Sequence, residues 1–142
     1  MKIIFSLLAL ALSFHAVSAP VTLKITQTAG RSGKVMIAVF DDARYFPKNH
    51  QHAVAKLLVP VSASQTEVTT TLNLPVGSYA MAIFLDENGD EKLNTNALGI
   101  PKERFGFSNN PRILTGPPSF GEAEVEVKEG SNTFSMKLIK LF

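Results

Sequence analysis

The chain has no cysteine and no tryptophan. Without thiols it forms no disulfide, no thiolate zinc site and no iron–sulfur cluster, and thiol catalysis is excluded. A lipid anchor on a lipobox cysteine is excluded for the same reason. Charge of neither sign is in large excess, with 14 Lys and Arg against 12 Asp and Glu. That balance offers little attraction for nucleic acid or for an anionic bilayer. Beyond the first residues there is no apolar run long enough to span a bilayer as a helix. A nucleophile elbow, a phosphate-binding loop and an HExxH pair are also missing. What is present is a chain of 142 residues, 45% hydrophobic, that is large enough for one well-formed core.

The single apolar run follows Lys2 and extends from Ile3 to Leu12, too short for a membrane span. It leads into the small residues Ala16-Val17-Ser18-Ala19. This order reads as a signal peptide over residues 1–18. Cleavage after Ala19 would put Pro20 first, which signal peptidase handles poorly, so cleavage after Ser18 is expected. Residues 19–142 then form a single domain, exported to the periplasm or the medium. Loss of Lys2 lowers the formal charge from +2 to +1.

Period-two alternation dominates that domain. Val21, Leu23 and Ile25 alternate with Thr22, Lys24 and Thr26. Residues 54–61 and 67–72 are further strands rich in Val and Thr. Val35–Phe40 and Tyr79–Leu85 are apolar on both faces, as central strands of a sandwich are. In Leu74-Pro75-Val76-Gly77, Pro75 presets its φ and Gly77 is free to turn left-handed. Two strands close the chain, one around Val125 and one around Met136, and 129–132 reads as the hairpin between them. The fold class expected is all-β. It is an antiparallel β-sandwich of about seven strands, immunoglobulin-like or prealbumin-like, with one long ordered loop.

That loop runs from Asp86 to about Phe120 and carries most of the chemistry. Asp86, Asn88 and Asp90 occupy positions one, three and five of a potential cation loop, and Lys92 offers its carbonyl at seven. Glu91 stands where the helix–loop–helix calcium pattern has Gly, and Ala97 where it has a bidentate Glu. Glu91, Asn94, Asn96 or the distant Glu103 would have to complete a calcium shell. The competing reading is an Asp/Asn turn without metal.

Glu103, Phe105, Phe107, Ser108, Asn109 and Asn110 form the second candidate group, an aromatic–amide surface for an envelope ligand or protein. The plainer reading is that the rings pin the loop to the sandwich and the amides cap its turns. His50 and His52 read as a solvated loop, and Glu122, Glu124 and Glu126 as a wet strand face. Asp41, Asp86 and Glu103 supply carboxylates for a glycan hydrolase, but their spacing selects no pair.

Residues 76–120 carry a resemblance. Gly77-Ser78-Tyr79-Ala80, Asp86-Glu87-Asn88, Leu93-Asn94-Thr95-Asn96, Gly99-Ile100-Pro101-Lys102-Glu103, Gly106-Phe107-Ser108-Asn109-Asn110 and Pro118-Ser119-Phe120 resemble the signature of a bacterial family, domain of unknown function 2141. The likeness extends more loosely from Leu23 to Leu138. It implies a small exported β-sandwich and carries over no catalytic residue. Where many relatives read Asn-Gly-Lys-Leu-Asp, this chain reads Gly-Asp-Glu-Lys-Leu-Asn over 89–94, so its acids are placed differently. The L-P-V-G-S-Y turn is similar to prealbumin-like and carboxypeptidase-regulatory-like sandwiches, a likeness of fold. The expected function is a non-enzymatic envelope module whose loop is ordered by Asp86, Asn88 and Asp90. The alternatives are an envelope glycan hydrolase and a purely structural loop.

Overall fold

The computed structural model describes residues 17–141. The expected signal peptide therefore lies outside the described residues, except for Val17 and Ser18. Eight strands form: β1 Ser18–Thr26, β2 Gly33–Phe40, β3 Ala55–Val61, β4 Glu67–Pro75, β5 Gly77–Asp86, β6 Phe105–Phe107, β7 Glu124–Val127 and β8 Asn132–Lys137. One sheet has the order β4-β1-β8. The other runs β3-β2-β5-β6, with β7 also paired to β5. β7 lies beside Gly77–Ala80 and β6 beside Ala82–Phe84, so two short strands share one edge of β5.

The sandwich core follows from the alternation. Val21, Leu23 and Ile25 of β1 and Met136 of β8 face Val35, Ile37 and Val39 of β2 and Met81, Ile83 and Leu85 of β5. Prolines fall where no ladder donor is needed. Pro60 is on β3, an edge strand. Pro20 lies in β1 just before β8 begins alongside at Val21.

Three expectations change. β7 and β8 are not a hairpin, because β7 belongs to β5 and β8 runs parallel to β1. The chain crosses between sheets at 128–131. Asn132 fixes the crossing by accepting from the Lys128 amide and donating to the carbonyls of Lys128, Gly130 and Pro20. Gly77 does not turn left-handed. The β4–β5 turn is held instead by the Tyr79 hydroxyl on the Pro75 carbonyl (2.6 Å) and by the Val76 amide on Val17. Residues 120–123 form one helical turn, α1 Phe120–Ala123, capped by Ser119, so the strand with the wet glutamate face, β7, starts at Glu124 and leaves Glu122 in the turn.

β2 and β5 are apolar on both faces because the outer face of their sheet is also covered. Ala38, Phe40, Ala80, Phe84, Phe105 and Phe107 make a second buried cluster there. Phe46 joins it edge-to-face with Phe40, Phe107 and Phe120. The 86–120 segment lies across this face.

Candidate functional site

The segment leaves β5 at Asp86, whose side chain is buried, with 1% exposed. The chain then wraps around two carboxylates. Asp86 accepts from the amides of Gly89 (3.0 Å) and Glu91 (2.9 Å). Glu103, 6% exposed, accepts from Glu87 (3.0 Å) and Asn94 (3.1 Å). Glu91 takes a positive φ to place its amide, which a glycine would do more readily. Asp90 completes the group. One oxygen from each of Asp86, Asp90 and Glu103 lies within 4.8 Å of the others, the one such acid or histidine group among the described residues. The side-chain amide of Asn94, then the amide of Lys92, hold the Asp90 carboxyl below its usual pKa, so it stays ionised.

The ion pairs formed among the described residues are Lys24–Glu67, Arg31–Glu87 and Arg44–Asp42. None reaches Asp86 or Glu103. Two buried carboxylates thus face each other with backbone N–H groups and no basic side chain for compensation. Hard oxygen ligands at this spacing suit calcium better than a transition metal. Of the other sequence candidates, Asn88 bonds the Asp90 amide and the Asn94 side chain, and Lys92 enters through its amide. Glu103, a candidate both for the aromatic group and for the distant end of the cation shell, lies beside Asp86 and Asp90.

Phe105, Phe107 and Ser108 are buried. β6 is a strand of the sheet, and its rings fill the second cluster instead of facing solvent. The Ser108 hydroxyl donates to the Ala123 carbonyl and accepts from the Met81 amide (2.8 Å). Asn109 and Asn110 are exposed, take positive φ, and cap neighbouring chain. Asn109 donates to Glu122, while Asn110 bonds Ser135 and Lys137 on the open edge of β8. The rings pin the segment and the amides cap neighbouring chain, and Phe105 and Phe107 at the same time line a cavity on this face.

The segment does not close down fully on the sheet. A cavity of about 1240 Å³ remains between them. Sequence reasoning missed it, although register explains it. Across β3, β2, β5 and β6 one row reads Leu58, Met36, Phe84, Phe105. The next reads Lys56, Ala38, Ala82, Phe107. Two adjacent alanines between larger residues leave a trough. Leu93, Leu98 and Leu114 line it from the loop and are 38%, 83% and 72% exposed. The usable signal was the pairing of two-faced apolar strands with leucines in a polar loop.

His50 borders the trough and packs edge-to-face on Phe40. Partial burial, then the Lys56 charge, lower its pKa, so it is neutral near pH 7. His52 instead stacks on Tyr45 (3.9 Å between centroids).

Neither the curated proteins nor the solved structures contain a match to the chain. Residues 23–135 match the family described as "Uncharacterized protein conserved in bacteria (DUF2141)", and the chain belongs to that family.

Proposed function

We propose that the protein is an exported, non-enzymatic binding module of the bacterial envelope. Residues 86–104 are ordered around a calcium ion held by Asp86, Asp90 and Glu103, and the whole 86–120 segment walls a ligand cavity on the outer face of the larger sheet. The observation that carries this reading is the convergence of three carboxylates, two of them buried, at the root of the segment that lines the trough. Export rests on the apolar run and small residues of 1–18. The hydrolase alternative is weaker. A general acid must reach the scissile bond, whereas Asp86 and Glu103 are buried and already bonded to backbone amides.

The test is a thermal melt of residues 19–142 in EDTA, with calcium then titrated back and magnesium as control. A saturable rise in Tm with calcium, absent in Asp86→Asn, is expected from linkage. No rise at millimolar calcium would overturn the metal reading.

A further inference from the structure

We propose that the trough takes a single-chain amphiphile with an anionic head, its acyl chain lying on the alanine floor and its head against Lys48 and Lys56. The proposal rests on the reading of the 86–120 segment as the wall of a binding site, and names the ligand class for that site.

The floor argues for the tail. Ala38 and Ala82 are adjacent across β2 and β5, flanked in the next row by Met36 and Phe84. No hydrogen-bonding side chain stands at any of these four positions. A sugar or peptide laid here would leave the polar groups on its floor-facing side unpaired, which disfavours both. A hydrocarbon chain asks for nothing more than this surface. Four strands span roughly 14 Å from β3 to β6, and the volume exceeds the roughly 300–1,000 Å³ common for small-ligand sites. The three exposed loop leucines lie along the same cavity and would bury apolar surface on such a chain.

Charge argues for the head. Among the described residues, Lys48, Lys56 and Lys92 line the cavity against one acidic side chain, Glu91. Lys56 ends the alanine row on edge strand β3. Lys48 shares a turn with His50, whose amide bonds the Lys48 carbonyl (3.1 Å), and His50 lies close enough to feel the Lys56 charge. Neither Lys48 nor Lys56 is paired with an acid among the described residues. A carboxylate or phosphate head at the end of the trough would supply the missing partner. Because the loop walls the cavity, the occupant is a free amphiphile rather than a bilayer surface.

Calorimetric titration of residues 19–142 with hexadecanoate, dodecanoate and hexadecanol, below their aggregation limits and with or without calcium, tests this. Saturable one-to-one binding is expected, with affinity rising about fourfold per added methylene until the trough is filled. Lys48→Glu with Lys56→Glu is expected to weaken hexadecanoate by about tenfold or more and to leave hexadecanol within about twofold. Both lysines are exposed, so folding should survive, and a melt checks it. Ala82→Trp fills the floor and is expected to abolish both. Equal affinity for acid and alcohol in the parent would overturn the anionic head while leaving the cavity reading intact. Binding of neither would overturn both readings. Capture by anionic vesicles without binding of soluble hexadecanoate would also overturn the proposal.

Discussion

At the scale of single residues, Asp86 does more than its neighbours. It terminates β5 and supplies the acceptor for two loop amides. Asp86→Ala leaves both donors short of a partner, at about 1–3 kcal/mol each when buried. A loss of roughly 2–4 kcal/mol by denaturant melting is expected. Asp90→Ala, at an exposed residue, should cost well under half of that. Equal losses would mean that burial of the carboxylate is not what holds the loop. Asp42 shows the opposite case of a shifted acid that is half-buried at the surface. Its side-chain bond to Arg44 lowers its pKa from 3.8 to about 2. For a depressed acid, whatever the pair contributes is present above pH 3.8 and lost as pH falls through about 2. NMR titration should place the Asp42 midpoint near 2, and Arg44→Ala should return it towards 3.8.

At the scale of elements, β6 explains how a polar segment is tied to a sandwich. Gly106 faces the Lys137 carbonyl so closely that a Cβ would sit 2.2 Å from its oxygen. That approach lets Phe105 exchange backbone bonds with Ile139 (3.0 and 2.7 Å) while also pairing with Phe84 of β5. Gly106→Ala should separate these chains, lower Tm by several degrees, and speed amide exchange at Phe105 and Ile139. Gly89→Ala has no neighbour within 4 Å, only a φ of +75° to strain, and should cost about 1 kcal/mol. Here sequence legibility is uneven. Alternation in Val21–Ile25 and in 134–138 marked β1 and β8, because each buries one face. The partner of each strand was not legible. The 129–132 turn chemistry suits a hairpin, and what redirects it is the Asn132 amide bonding across to Pro20, a contact distant in sequence. β6 was hidden because three residues show no period.

At the scale of the whole molecule, three layers account for the composition. A three-stranded and a five-stranded sheet enclose the main core, and the 86–120 segment forms a partial third layer on the outer face. The two-faced apolar pattern of Val35–Phe40 and Tyr79–Leu85 pointed to central strands, and the same pattern records the third layer. The carboxylate spacing at Asp86 and Asp90 was legible as oxygen chemistry. Its third member, Glu103, is in sequence only one of several distant candidates for that shell, since only the fold of 86–103 brings it beside Asp86. The cavity depends on cross-strand register, which composition does not reveal. The central claim is that the carboxylate-fastened segment is the wall of a binding site, and the chain's lack of tryptophan permits a clean optical test. Leu98→Trp places a single indole on the exposed rim. Its emission should change saturably as calcium is added to EDTA-treated protein, and the change should vanish when Asp86→Asn is combined with it. An emission spectrum that stays fixed through millimolar calcium, with the fold intact, would contradict the account.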